Sequence, residues 1–359
     1  MRLQTAIHLV QPWSTLRDRT GNQVVFLLGA GASRDAQLPL AAEVTRHWRS
    51  ELCRRVEGAE RLLVDIDRLR TRDHSGTVED DYEEIFWWLQ TLSERKPLRE
   101  LMGIDSAAYE DLHAEIALET RDILTSFISQ RERAGGDVSY LARLVEFASE
   151  GQPIEVFTLN YDTCVERACR SKGIPIVTGF DGPDRRRGWQ PELFRRKLGR
   201  GSVYLYKLHG SLSWFGSDPN LYEDLDPPDP ARNKSKYDAR PHLVLGPTAK
   251  VQTDDPFWWL LDRFHAALQQ ARTCVLIGFG GRDPHIAQRI AHERSLGLNV
   301  IDVGPAATPV SEPLFHEPNQ FEVGVWIGVD RTACDALASG LVDDAIREIQ
   351  RLRFHPSDE

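Results

Sequence analysis

No two of the five cysteines stand in a C-x-x-C spacing. Cys53, Cys164, Cys169, Cys274 and Cys334 are scattered and odd in number. A disulfide framework and a metal site are therefore not expected, and a reducing compartment fits. Long apolar runs are also missing. The longest nearly apolar stretch, Val24–Ala32, is too short to span a bilayer and is interrupted by glycines. The first residues, MRLQTAIHLVQPW, hold no convincing signal-peptide core. A cytoplasmic protein with no membrane partner is expected. Positive charge is in deficit, with a formal net charge of −10 over 359 residues. That excludes phosphate-backbone binding by the surface as a whole, so no direct nucleic-acid partner is expected. The densest basic cluster, Arg185–Arg187 with Arg195, Arg196, Lys197 and Arg200, reads as a solvated loop and helix face or as a local patch. A G-x-x-x-x-G-K-[ST] loop is absent, and with it any sign of an ATPase.

What is present is ample material for a core: 41% of residues are hydrophobic and 27% charged. VVFLLG at 24–29 is a short, wholly apolar run ending in glycine, as in a strand covered on both faces of a parallel sheet. Comparable runs occur at 155–159, 203–208, 242–245, 273–279 and 298–303, and helical patterns follow several of them. The expected fold is α/β, a Rossmann-like doubly wound parallel sheet. Between the first two strands lie helical patterns only, in far more residues than a βα connection needs. The expected organisation is a discontinuous sheet domain over 1–55 and 151–305 and a helical insertion over 56–150, with a strand (FEVGVWI) and an amphipathic helix (335–354) in 306–359. The segment 216–240 reads as a loop. FWWL occurs at 86–89 and at 257–260 in different flanks; both copies read as core, with an oligomer contact as the alternative.

Ligands of open α/β sheets gather at the carboxyl ends of strands. The first such end reads LLGAGAS, where Gly29, Gly31 and Ser33 suit a phosphate at a tight turn before a helix. Arg34 stands where the dinucleotide fingerprint has its third glycine. The second end, TLNYD, offers Asn160, either to a ligand or as a loop brace. Asp162 follows it, and Thr163 with Glu166 matches a capping box. The third, KLHGS, sets His209 before Gly210, where the alternative is a hydrogen-bonded turn histidine. In the fourth, LIGFGGRDP, Gly278, Gly280 and Gly281 leave bare backbone, and Asp283 with Pro284 starts a helix. At a fifth end, VIDVGP, Asp302 can accept from ribose hydroxyls or serve as a turn residue.

Taken in this order, GAGAS, LNYD, KLHG and GFGGRDP, together with LGPTAK and PFWWLLDRF, resemble the sirtuins, in particular the bacterial sirtuin-like NAD hydrolases. The resemblance covers about 24–50 and 154–305. It departs from the protein-deacylating members in two places. Their four zinc-binding cysteines have no counterpart, and Pro39 is followed by Leu40-Ala41-Ala42 instead of Asp-Phe-Arg. The resemblance implies NAD+ as a substrate and no metal. It implies that Gly29, Ala30, Gly31 and Ser33 cradle the pyrophosphate, with Gly278, Gly280, Asp283 and Asp302 on the adenosine side. It further implies that Asn160 and His209 act at the ribose and Asp162 at the nicotinamide amide. The implied activity is hydrolysis of NAD+ in anti-phage defence, gated by homo-oligomerisation or by a partner such as a HerA-type ATPase or an Argonaute-like protein. Lysine deacylation and non-catalytic sensing of NAD+ or ADP-ribose are the alternatives.

Overall fold

The computed structural model describes residues 4–6, 23–73, 81–95, 106–148, 153–181, 186–196, 198–199, 201–216, 220–224, 241–245, 255–304 and 325–354. Its frame is an eight-stranded sheet in the order β1-β13-β12-β11-β2-β3-β7-β4. The strands are β1 (Gln4–Ala6), β2 (Val24–Leu28), β3 (Ile154–Thr158), β4 (Ile176–Val177), β7 (Val203–Lys207), β11 (Thr273–Ile277), β12 (Asn299–Gly304) and β13 (Trp326–Asp330). All neighbours are parallel except β1, which runs antiparallel to β13.

The apolar runs are continuous because both faces of this sheet are covered. Phe26 and Leu28 of β2 enter one core and Val25 and Leu27 the other. Val275 and Ile277 of β11 likewise oppose Cys274 and Leu276. Alternate side chains of a strand point to opposite faces, so a strand with two dry faces is apolar at most of its positions. The chain winds outward from β2 through β3 to β7 in one direction, and from β11 through β12 to β13 in the other. The reversal falls between β2 and β11, which is where a doubly wound sheet opens a crevice.

Between β2 and β3 the described chain is helical. It holds α1 (Ala41–Arg55), α2 (Ala59–Asp73), α3 (Tyr82–Glu94), α4 (Ser106–Ala134) and a 3-10 segment, Ser139–Phe147. Trp48, Leu52, Ile66, Ile85, Leu89, Ile116 and Leu124 pack into the same core as Phe26 and Leu28. The remaining helices are α5 (Cys164–Lys172), α6 (Phe257–Gln270), α7 (Pro284–Ser295), α8 (Ala333–Ala338) and α9 (Leu341–Phe354). None of the helices described is long and apolar enough to cross a membrane. FWWL of α3 places Phe86 and Leu89 in one core, while FWWL of α6 places Phe257 and Leu260 in the other and leaves Trp258 56% exposed.

Three sequence readings are corrected. The run at 242–245 is not a strand of the main sheet. Pro241–Leu243 forms β10 in a second, antiparallel sheet ordered β10-β8-β9-β6-β5, with β5 (Phe180–Asp181), β6 (Arg186–Trp189), β8 (Gly210–Phe215) and β9 (Tyr222–Asp224). Residues 222–224 of the expected loop are thus a strand, and 225–240 lie outside the described residues. The amphipathic segment at 335–354 is two helices, broken at Gly340 with φ +77°. Of FEVGVWI, Trp326 and Ile327 begin β13, and 321–324 lie outside the described residues.

Candidate functional site

The two glycine turns at the reversal are knit together. Gly29 N–H donates to the Ile277 carbonyl at 2.9 Å, and Gly31 N–H to the Gly278 carbonyl at 3.1 Å. A Cβ on Gly31 would stand 2.7 Å from Gly278 Cα, and one on Gly29 2.5 Å from the Gly278 oxygen. Gly278 itself has φ +63°, and its Cβ would meet Ala32 N at 2.3 Å. These glycines are required by backbone packing on backbone, a reason different from room for a ligand. Gly280 has nothing within 4 Å of its Cβ position and is the open one. A further difference is local: a 3-10 turn, Ala30–Ser33, follows Gly29, and the first α-helix begins only at Ala41. Arg34, in place of a third glycine, instead pairs with Glu43 of α1 at 2.5 Å.

Beside this turn the loop after β3 is braced from several sides. Asn160 Nδ2 donates to the Gly29 carbonyl at 2.9 Å and to Ser33 Oγ at 3.1 Å. A carbonyl can only accept, so the amide nitrogen faces the glycine turn and the amide oxygen is left as an acceptor. Ser33 Oγ in turn donates to Asp162 Oδ2 at 2.8 Å. Its one hydroxyl proton is therefore spent on Asp162 and is not offered to a phosphate in this state. Asp162 Oδ1 accepts from Cys164 N–H at 3.0 Å, so Asp162 also caps α5. The capping box expected from Thr163 and Glu166 does not form. Thr163 makes no side-chain cap bond, and Glu166 is buried against Lys207 at 3.0 Å.

Lys207 is the last residue of β7, and its ammonium is fully buried. It donates to the Asp162 carbonyl and to the Glu166 carboxylate. Burial works to depress its pKa, but Glu166 and Asp162 outweigh burial and hold it above the usual lysine value. Glu132, near the end of α4, accepts from both the backbone N–H and the hydroxyl of Thr163. Burial first, and then the charge of Asp162, push its carboxyl above the ordinary value of 4.5. An ammonium and a carboxylate from two other elements thus hold the segment 160–163 in place. Sequence reading passed over both. Lys207 stands in the quoted KLHG, at a strand position where every neighbour is buried. Glu132 lies in the helical block, with no nearby motif to mark it.

His209 stands two residues past the end of β7 and is 5% exposed. Gly210 turns the chain at φ +87° into β8, and a Cβ there would sit 2.1 Å from the His242 oxygen. The chain leaves the main sheet for the second one at this point, which leaves the imidazole at the edge between them. Its Nε2 lies 3.0 Å from Asp283 Oδ2. The other oxygen of Asp283 accepts from the N–H groups of His285 and Ile286 at 3.1 and 3.2 Å and caps α7. Asp283 with Pro284 is a helix start, as the sequence suggests.

These groups surround one cavity of about 410 Å³. That size suits a small-molecule ligand. Gly29, Ala30, Gly31, Ser33, Asn160, Asp162, His209, Gly278, Gly280, Asp283 and Asp302 all line it. Every site residue that the family resemblance implies is therefore brought to the same place, while Gly281 is not in the lining. The helical block supplies the facing wall, with Asp81, Tyr82 and Glu83 at the start of α3 and Ile128 of α4. Among the described residues, Arg282 carries the one guanidinium of the lining, 3.7 Å from Asp81. Among the described residues no group of three or more His, Cys, Asp or Glu is arranged to hold a metal ion.

Comparison with known proteins falls on this region. Residues 154–302, from β3 to the end of the VID run in β12, match the family described as SIR2-like domain. This part of the chain is similar to a SIR2-like domain. The matched residues include Asn160, Asp162, His209, Gly278, Gly280, Asp283 and Asp302; the glycine turn at 29–33 precedes them. Among solved structures, a Sir2 homologue–NAD complex is 13% identical over 93% of this chain and 91% of that one, with a TM-score of 0.47. A Sir2 bound to a propionylated peptide is 11% identical over 90% and 94%, with a TM-score of 0.45. No curated protein matches the chain in sequence.

Proposed function

We propose that the SIR2-like domain cleaves NAD+ to nicotinamide and ADP-ribose. One observation carries the reading: Asn160 and His209, from different strand ends, line a single cavity with the interlocked glycine turns. A cavity with Asp81, Glu83, Asp162, Asp283 and Asp302 in its lining also suits a cationic pyridinium better than a neutral base.

The scissile bond joins C1′ of ribose to the pyridinium nitrogen. As it breaks, the electron pair goes to that nitrogen and nicotinamide leaves neutral, so no general acid is needed. Oxocarbenium character builds on the sugar, as in glycoside hydrolysis. Water adds to C1′ and loses its proton. With both N–H bonds of Asn160 committed to Gly29 and Ser33, its amide oxygen is the group that can accept from the water or a ribose hydroxyl. His209 accepts the proton, a role suited to an imidazole near neutral pH. Asp302, at the end of β12, is positioned for ribose hydroxyls as acids at such ends are. Gly280 is the point where a ligand reaches bare backbone. The geometry supports Asp162 first as a brace, since both its oxygens already accept bonds.

Unchecked hydrolysis of NAD+ would harm the host, so the activity belongs with a gate. The expected gate is homo-oligomerisation or an external partner, in the anti-phage setting that the sequence resemblance implies. The decisive experiment is chromatography of NAD+ incubated with the purified protein, with and without an acetylated peptide. Nicotinamide and ADP-ribose without peptide support hydrolysis. Acetyl transfer to ADP-ribose supports the deacylase alternative. Tight binding without turnover, in every oligomeric state isolated, supports a sensor.

A further inference from the structure

We infer that Tyr161 is a positioning residue that sets Asn160 and His209 at a fixed distance, its carbonyl bound on one side and its hydroxyl on the other. The kinetic part of the inference rests on the proposed hydrolysis, and the bridge itself on hydrogen bonds alone.

β3 and β7 are paired as far as Thr158 and Lys207. One more bond, from Leu208 N–H to the Thr158 carbonyl at 2.9 Å, ends the ladder. Asn160 and His209 both lie just past it, where strand pairing no longer fixes one chain against the other. Tyr161 takes over that task. Its carbonyl accepts from Leu212 N–H at 2.9 Å and from Ser211 Oγ at 3.4 Å, which fastens it to β8. Its hydroxyl reaches the residue after β10 and donates to the Val244 carbonyl at 2.7 Å. Val244 N–H in turn donates to the His209 carbonyl at 3.0 Å. One tyrosine thus joins the backbone beside the amide to the backbone of the imidazole. β10 is itself pressed against the turn after His209, since a Cβ on Gly210 would stand 2.1 Å from the His242 oxygen. Tyr161 and Val244 are 7% and 1% exposed, so water is a poor substitute for the hydroxyl. Burial holds the phenol well above its usual value of 10, so it stays a donor over any ordinary assay range. Support of this kind, from groups that touch no reacting atom, is what holds reacting groups to a productive geometry.

Tyr161→Phe tests the bridge, because it keeps the ring and removes only the hydroxyl. With NAD+, kcat should fall about ten- to a hundredfold while KM changes less than about threefold, as for a small misplacement of reacting groups. Two measurements need no substrate. Amide hydrogen exchange at Val244 should quicken about tenfold or more in the variant. The His209 ring signals in NMR, assigned by their loss in His209→Gln, should move in Tyr161→Phe, while those of His292, exposed on α7, stay in place. A merely structural role would lower stability and leave the His209 signals of the folded variant where they are in the wild type. That result overturns the inference, as does a kcat left intact or a Val244 amide that exchanges equally fast in both proteins. Should Tyr161→Phe fail to fold, the wild type still decides the bridge: a protected Val244 amide supports it and an unprotected one overturns it. Should the wild type release no nicotinamide, the proposed hydrolysis falls, and the exchange and ring measurements still test the positioning.

Discussion

The cavity has two walls of different build. The sheet wall consists of strand ends and short turns, and its polar groups are tied to one another. Asn160, Ser33, Asp162, Lys207 and Glu166 form one connected set, and His209 is tied to Asp283. The helical wall meets the cavity through the starts of α1 and α3 and one apolar residue of α4. Its polar links to the sheet wall include Glu132 to Thr163, the Tyr140 hydroxyl to the Ala32 carbonyl and Asp81 to Arg282. A group that must be held for chemistry needs the first kind of support. A wall that must admit and release a ligand is better served by the second. Changes to the sheet wall should therefore reach the rate or the fold, and changes to the helical wall should reach affinity or pH response.

The strongest way to break this contrast is to remove the reacting groups. His209→Ala and Asn160→Ala should each lower nicotinamide release by about two to four powers of ten. Both should keep the wild-type circular dichroism spectrum. Near-normal release by both purified variants would move the chemistry away from this rim.

Next in size is Lys207→Met. It leaves the Glu166 carboxylate buried without its ammonium, and breaking such a pair costs about 3–5 kcal/mol. Urea unfolding should show that loss, and activity should fall with it because the Asp162 carbonyl loses its donor. A variant as stable as the wild type would mean that the segment 160–163 is held from the helical side instead.

The glycines divide the sheet wall further. Gly31→Ala pushes a methyl into Gly278 and should cost about 1–3 kcal/mol by overpacking. Gly280→Ala meets no atom within 4 Å and should change stability by less than about 0.5 kcal/mol. Its effect should appear in NAD+ affinity by calorimetry. Equal stability losses in the two variants would contradict the interlocked packing.

How far the sequence foretold this arrangement follows the same division. The central parallel strands β2 and β11 are legible because they are dry on both faces, which leaves a nearly unbroken apolar run, whereas Glu155 interrupts β3 and Asp302 interrupts β12. The strand-end residues were legible because glycine, asparagine and histidine stand out against such runs. The second sheet was not, since its strands are short and β8 begins at Gly210, only two residues after β7 ends. The roles of Lys207 and Glu132 were hidden for another reason. A lysine or glutamate is unremarkable in sequence until its partners, far away in the chain, are brought beside it. Asp283 with Pro284 is legible as a helix start because that job is local, whereas its approach to His209 depends on a residue 74 positions earlier.

On the helical wall the expected effects are smaller. Arg282→Ala removes the one guanidinium of the lining, which sits among carboxylates where a pyrophosphate would need a counter-charge. NAD+ KM should rise about tenfold with kcat little changed, as for loss of uniform binding. The rise should shrink at high salt, because Arg282 is partly exposed and screening weakens its pull. A fall in kcat with KM unchanged would instead place Arg282 with the reacting groups.

The smallest effect concerns Glu132, which links the walls through Thr163. Burial holds its carboxyl above the ordinary 4.5, with the Asp162 charge adding to the rise and Lys207 opposing it. Arg167, 3.9 Å away, is the other cation facing it. A carboxyl with a raised pKa binds its proton more tightly in the folded state than in the unfolded one. Its contribution to stability is therefore complete below the unfolded value and is lost as pH rises through the folded one. Glu132→Gln has no such proton to lose, and its side-chain oxygen can still accept from Thr163. Thermal unfolding of both proteins from about pH 4 to pH 8 tests this. The wild type should lose stability relative to the variant as pH rises above 4.5. A difference between the two that stays constant across that range would show that the Glu132 proton is not coupled to folding, and that the helical wall grips the loop by shape alone.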